Sequence, residues 1–365
     1  MTDERAALAA LLRSADAASA LARAIRDLAE GLGTVRLMEV CGTHTVAIRR
    51  SGLPSLLPES IELLSGPGCP VCVTPDEDID RAIAMAGLDG VCLCTFGDML
   101  RVPGSSGSLE RARASGADVR VVYSPLDAVA LARRSPERQV IFAGVGFETT
   151  APTVAAAVRS AAGLTNFSVL AAHKLVPPAL EALVAREDFS VHGFLMPGHV
   201  STIIGSDAYS PVARQHGVPC VVAGFEPGDI LLAIWMLLRQ MRDGRAEVEV
   251  EYRSAVRPEG NLRALELMGS VYEPVDSTWR GLGAIPASGL GLRASQAAFD
   301  ARLRHPVEVA PSKGRPGCRC GEVLVGALRP DGCALFGRSC TPATPIGPCM
   351  VSSEGSCAAY YRYSR

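Results

Sequence analysis

The sequence predicts an α/β fold of parallel sheets followed by a cysteine-rich tail. Three observations predict it. Short β-rich runs alternate with helical stretches through most of the chain. Ala, Gly and Val are abundant while aromatic residues make up only 5%, which suits close packing of helices on buried parallel sheets. Six of the 12 cysteines fall within the last 48 residues, where little else is periodic.

Residues 4–30 read as an amphipathic, Ala- and Leu-rich helix stopped by Gly31 and Gly33. Strands are expected at 35–40, 61–64, 90–94, 119–123, 139–143, 167–171, 192–195 and 218–223. Helices are expected between most of them, at 75–86, 109–115, 126–134, 150–162, 178–186 and 227–242. Eight such strands fit two halves of four each, with a boundary near 135–138. Ala143-Gly-Val-Gly-Phe-Glu148 and Ala223-Gly-Phe-Glu226 echo one another at two strand ends, too briefly to prove a repeat. Beyond Gly244 come a strand at 247–252, a helix at 261–268 and a Gly/Pro-rich stretch at 274–292. From Pro311 the tail has too little apolar surface to fold alone, so a metal is expected to organise it. This gives a helix at 1–33 packed on the rest, α/β units at 34–136 and 137–244, and a tail domain at 245–365.

A net charge of −2 gives no bias toward nucleic acid. No apolar run is long enough to span a bilayer. Met1-Thr2-Asp3-Glu4-Arg5 lacks the character of a secretory signal, so a cytoplasmic location is expected. Disulfides are uncommon there, and the cysteines point to metal or redox chemistry instead.

Sites in open parallel sheets form beyond the carboxyl ends of strands. Here those ends carry Cys41-Gly42-Thr43-His44, Gly66-Pro-Gly-Cys69-Pro-Val-Cys72, Thr95-Phe-Gly-Asp98, Gly146-Phe-Glu-Thr-Thr150, His173-Lys174, Met196-Pro-Gly-His199 and Gly224-Phe-Glu-Pro227. Cys41 precedes an expected helix start at Thr43, where amides and the helix dipole lower a thiol pKa. It is a candidate ligand or nucleophile, and a small buried cysteine is the plain alternative. His44 alone fits a structural role; beside Cys41 it becomes a candidate ligand or a support for one. Cys69 and Cys72 form a C-x-x-C whose thiols can share a disulfide or a metal. Redox use is favoured, since no second pair lies nearby to complete a zinc site. Cys92, Cys94 and Cys220 sit in apolar strands and read as core.

The tail holds Cys318, Cys320, Cys333, Cys340, Cys349 and Cys357. Four thiolates suit a [4Fe–4S] cluster, and soft sulfur donors suit iron–sulfur or zinc. Six cysteines for four positions leave the ligand set open on spacing alone.

Together, Cys41-Gly-Thr-His44, Gly66-Pro-Gly-Cys-Pro-Val-Cys72, Gly146-Phe-Glu-Thr-Thr150, Met196-Pro-Gly-His199 and Ser352-Ser-Glu-Gly-Ser-Cys357-Ala-Ala-Tyr-Tyr resemble the HypD family of hydrogenase maturation proteins. The match runs in order from about residue 35 to the C-terminus. The resemblance implies two similar parallel-sheet α/β domains plus a cysteine-rich iron–sulfur domain, built from the C-terminal region with room for the N-terminal helix to join it. It implies a redox-active assembly scaffold rather than a conventional turnover enzyme. Cys41, with His44 beside it, would hold iron together with a thiol of a HypC-type chaperone. Cyanide from a HypE-type donor and carbon monoxide would be installed there as an Fe(CN)2CO group. Cys69 and Cys72 would be a dithiol exchanging electrons with a [4Fe–4S] cluster held by Cys333, Cys340, Cys357 and, as the best fourth, Cys318. Cys320 is the close alternative and Cys349 the weakest. Nucleic acid and membrane are not among the implied partners.

Two other readings compete. An iron–sulfur thiol–disulfide reductase explains the dithiol and the cluster but leaves Cys41 and His44 without a role. A nucleotide-binding α/β enzyme with a zinc tail finds no G-x-x-x-x-G-K-[ST] motif and no G-x-G-x-x-G after the first strand.

Overall fold

Apolar runs bounded by turn residues become strands where the pattern placed them: β1 (Val35–Glu39), β2 (Ile61–Ser65), β3 (Val91–Thr95), β4 (Asp118–Val121), β5 (Gln139–Gly146), β6 (Phe167–His173), β7 (Gly193–Pro197), β8 (Cys220–Ala223) and β9 (Val248–Val250). The computed structural model describes residues 15–312 and 314–364. The expected N-terminal helix appears as Ala15–Ala29; its residues 4–14 lie outside the described residues.

The strands do not divide into consecutive fours. One parallel sheet has the order β2-β1-β7-β8-β9 and the other β4-β3-β5-β6. The chain starts the first sheet, leaves it after β2 to build the whole second sheet, then returns through β7. The expected boundary at 135–138 therefore falls inside the second sheet, between the helix Pro125–Arg134 and β5, which pairs with β3 from Val91↔Gln139 onward. Alternation identifies strands and helices, but strands buried on both faces look alike, so pairing is not written in the pattern.

Each sheet has a point where the winding direction reverses, between β1 and β7 in the first and between β3 and β5 in the second. Crevices open there beyond the carboxyl ends. Cys41 follows β1, and the short helix Pro70–Val73 follows β2. Phe147, just after β5, shares a core with Cys69 and Cys72, so the two crevices face a common region.

The N-terminal helix packs on the helix Pro227–Arg242, with Ile25 fully buried among Leu37, Leu231 and Ile234. Its described part belongs to the first sheet's outer layer. The stretch expected only as Gly/Pro-rich is an antiparallel hairpin, β10 (Tyr272–Trp279) and β11 (Gly283–Leu292), with a register shift between Val275 and Ser277. The final helix Ser356–Tyr363 packs on the helix Gly42–Arg50 that starts at Cys41. The Arg49 guanidinium lies over the Tyr360 ring, 3.7 Å from its centroid, and donates to the Tyr360 hydroxyl. No helix among the described residues is long and apolar enough to cross a membrane.

Candidate functional site

Cys41 occupies the N-cap of the helix Gly42–Arg50, as the expected helix start requires. The C-x-x-C loop is pressed onto it. Gly66 N donates to Glu39 O at 2.8 Å and Gly42 N to Gly68 O at 2.9 Å. A Cβ on Gly68 would lie 2.1 Å from Cys41 N, so only glycine permits that approach. On the other side the tail roofs the site: a Cβ on Gly42 would meet Glu354 Cβ at 2.6 Å, and Thr43 Oγ1 donates to Glu354 Oε1 at 2.7 Å. Glu39 closes the floor, accepting from Cys41 N at 3.1 Å and Thr45 Oγ1 at 2.5 Å.

A lowered thiol pKa was the expectation for Cys41, and the structure reverses it. Burial pushes the thiol up to about 12, and the Glu354 and Glu39 charges add to the rise. The amides of His44 and Thr43 pull the other way without winning. The helix start supplies its dipole, but desolvation of a thiolate outweighs it here. Burial also pushes Glu39 up to about 8.

His44 is fully buried, and burial pushes its pKa down to about 4. Its Nε2 lies 2.8 Å from Gly224 O after β8, which fixes Nε2 as the protonated nitrogen because a carbonyl only accepts. Nδ1 then carries a lone pair and has no hydrogen-bond partner. The ring packs 4.8 Å from Phe225, which also stacks on the exposed His199 at 3.9 Å. His44 thus braces the end of β1 against the end of β8.

Cys69 caps the helix Pro70–Val73, and Cys72 lies within it. Their sulfurs are 2.7 Å apart and both thiols are free. Cys69 donates to Ser352 Oγ at 3.4 Å. Burial holds Cys72 well above the usual thiol range. The hairpin grips this helix from outside. Arg280 N donates to Val73 O at 2.8 Å, and its guanidinium donates to Cys72 O at 3.1 Å, Thr74 O at 2.7 Å and Asp76 Oδ1 at 2.8 Å. Arg315 binds the same Asp76 oxygen at 2.8 Å.

The six tail cysteines, Cys318, Cys320, Cys333, Cys340, Cys349 and Cys357, line one small cavity with Leu335, Phe336 and Met350. The Cys349 thiol lies close to Cys72 on one side and to Cys320 on the other, and Cys320 lies close to Cys318. A row of thiols therefore runs from the C-x-x-C to the cavity. Among the described residues no three His, Cys, Asp or Glu side chains converge on a single-ion site. A cluster of several iron atoms spreads its thiolates, each on its own iron. The cavity's donors are sulfur, with no carboxylate or imidazole in its wall, so they fit an iron–sulfur group.

The structure thus brings Cys41, Cys69 and Cys72 together and sets the tail cysteines beside them. Cys92, Cys94 and Cys220 are buried in the cores, as expected. Ser352 and Glu354 lie in a quoted motif, yet their contacts with Cys69 and the Cys41 loop left no signal in sequence. Arg280 had none either, whereas Asp98 stood at a strand end expected to line a site.

The sequence model described as the hydrogenase formation hypA family, labelled HypD, matches residues 16–364. The hydrogenase maturation factor HypD of Azotobacter vinelandii is 49% identical over 362 residues, covering 97% of this chain and 96% of its own. The HypD of Escherichia coli K12 is 47% identical over 332 residues, 90% of this chain and 89% of its own. That of Cupriavidus necator is 45% identical, with 97% and 96% covered. The chain belongs to the HypD family.

Proposed function

We propose that this protein is a hydrogenase maturation scaffold on which an iron atom, its cargo, acquires cyanide and carbon monoxide ligands. Cys41 holds that iron, shared with a thiol from a HypC-type chaperone, and cyanide comes from a HypE-type donor. The names of the relatives support the maturation role. The thiol row supports the redox part, and it is the observation that carries the reading: Cys69, Cys72, Cys349, Cys320 and Cys318 run from the C-x-x-C loop packed against Cys41 to the tail cavity.

Cys318, Cys333, Cys340 and Cys357 would hold a [4Fe–4S] cluster, leaving Cys320 and Cys349 on the path to Cys72. Such a cluster, when bound, supplies single electrons. The dithiol gives up two electrons and two protons when Cys69 and Cys72 join as a disulfide. Cys41 stays a thiol until a soft metal displaces its proton, because its burial disfavours a free thiolate. The Thr43 and His44 amides at the helix start then help to stabilise the charge left on its sulfur. His44 keeps the helix start aligned through Gly224.

A thiol–disulfide reductase would leave Cys41, enclosed by Gly68, Gly42 and Glu354, without a role, which disfavours that reading. Anaerobic purification with the HypC-type partner, followed by metal analysis and infrared spectroscopy, tests the proposal. Iron-bound cyanide and carbonyl bands are expected; a colourless protein carrying stoichiometric zinc would overturn it.

A further inference from the structure

Three hydrogen bonds around Cys69 form a directed chain. Cys69 Sγ donates to Ser352 Oγ at 3.4 Å, and Ser352 Oγ donates to Asp98 Oδ2 at 3.0 Å. Glu354 N donates to the same hydroxyl at 3.2 Å. A hydroxyl has two lone pairs and one proton. With the Cys69 thiol and the Glu354 amide on its lone pairs, the Ser352 proton is committed to Asp98. Ser352 is 2% exposed, so no solvent competes along this link. Asp98 follows β3 at the second sheet's crevice and is only half-buried, next to the exposed Ser353. The chain runs from a buried sulfur to a carboxylate in touch with water.

We infer that Ser352 and Asp98 are the proton path of the Cys69–Cys72 dithiol. Ser352 touches the reacting sulfur, and Asp98 is a positioning residue that accepts the proton through it. This rests on the redox reading of the dithiol and adds to it the route by which a buried thiol becomes a nucleophile.

The balance can be written with glutathione disulfide as acceptor. As Cys69 sulfur attacks one glutathione sulfur, its proton passes to Ser352 and the Ser352 proton passes to Asp98. The glutathione S–S bond breaks, a mixed disulfide forms and one glutathione thiolate leaves. Cys72 sulfur then attacks Cys69 sulfur, closing the Cys69–Cys72 bond and expelling the second glutathione. The two protons end on two molecules of glutathione, and two electrons have moved from the protein to the acceptor. Attack requires a thiolate, so a base that takes the proton sets the rate.

Asp98 also binds Ser353 N and Ser353 Oγ, each at 3.2 Å, so a purely anchoring role is the competing account. Asp98→Asn separates the two, since an amide oxygen still accepts from Ser352 and Ser353 but takes up no proton. The experiment uses the full chain with its cluster, under anaerobic conditions. Glutathione disulfide is added, and the Cys69–Cys72 disulfide is followed by quenched alkylation and mass spectrometry. Asp98→Asn and Ser352→Ala should slow its formation roughly 100-fold, the low end for a positioned general base. Ser352→Thr, which keeps the hydroxyl, should restore the rate to within about threefold of wild type, and the wild-type reaction should show a solvent deuterium isotope effect that Asp98→Asn lacks. Melting temperature and brown absorbance should stay unchanged. Oxidation of Asp98→Asn or Ser352→Ala at the wild-type rate would overturn the relay while leaving the dithiol reading intact, as would Ser352→Thr matching Ser352→Ala. A wild-type protein that forms no such disulfide would remove the redox reading itself, and the relay with it.

Discussion

Arg280 Nε donates to the Cys72 carbonyl oxygen at 3.1 Å, so a residue of the β10–β11 turn holds the backbone of the C-x-x-C helix. The same side chain reaches Thr74 and Asp76, and burial leaves it only 14% exposed. One guanidinium therefore ties the dithiol, the following helix and the hairpin together.

Arg280→Met should destabilise the protein by about 2–3 kcal/mol. Removing one partner of a buried pair typically costs about 3–5 kcal/mol, and Arg315 still compensates Asp76 here. Arg280→Lys should recover only part of the loss, because an ammonium cannot span Cys72, Thr74 and Asp76 in a fork. Urea denaturation would measure both. A shift below about 0.5 kcal/mol for the Met variant, the range of ordinary surface changes, would mean that the clamp contributes nothing.

The cavity cysteines should separate into two groups. Cys333→Ala, Cys340→Ala and Cys357→Ala should lose the brown absorbance and about four iron atoms per chain. Cys349→Ala should keep both, because Cys349 bridges Cys320 and Cys72 along the thiol row. Anaerobic iron and sulfide analysis decides the matter. Loss of cluster iron in Cys349→Ala would move that residue from the row into the ligand set.

Much of this arrangement was legible in the sequence, and the limits have physical causes. β1 to β8 were readable because each is a short β-rich run closed by Gly, Pro or polar residues. Cys41 at a helix start followed from Gly42 and Thr43 after an apolar strand. The pairing of β1 with β7 was not readable, because it depends on which of several similar strands lie side by side. The hairpin was hidden by Pro274, Pro286 and repeated glycines, which interrupt the alternation that marks a strand. Asp98 and Ser352 stand 254 positions apart and meet only once the tail has docked. The Cys41 pKa depends on burial, which local sequence does not report.

Acid should weaken the fold through its buried histidines. His173 is 1% exposed, neither ring nitrogen has a hydrogen-bond partner, and burial pushes its pKa down to about 4. In the unfolded chain it titrates near 6.5. Its folded pKa is depressed, so the unfolded state takes up the proton first. Its contribution is fully present above about pH 6.5 and is lost as pH falls toward about 4. By pH 5 the loss is on the order of 2 kcal/mol. His173→Gln should show a smaller drop in urea midpoint between pH 7 and pH 5 than wild type. An identical drop would place the acid lability elsewhere.

Cys41→Ser should abolish hydrogenase maturation while leaving the fold and the tail's brown absorbance intact. Cys41 is 7% exposed, enclosed by Gly68, Gly42 and the Glu354 roof. Serine nearly preserves its volume, so packing should change by less than about 1.5 kcal/mol. The chemistry changes far more. A buried thiol has its pKa pushed up to about 12, yet a soft metal can still displace its proton, because the thiolate it leaves is a strong soft donor. A serine hydroxyl is a hard donor and much harder to deprotonate, so the same burial leaves it inert toward low-spin iron. A packing cysteine would tolerate the change and an iron ligand would not. The variant isolated with a HypC-type partner should lack cyanide and carbonyl infrared bands and keep its cluster absorbance. Maturation at the wild-type rate would show that the iron is held by some other residue than Cys41.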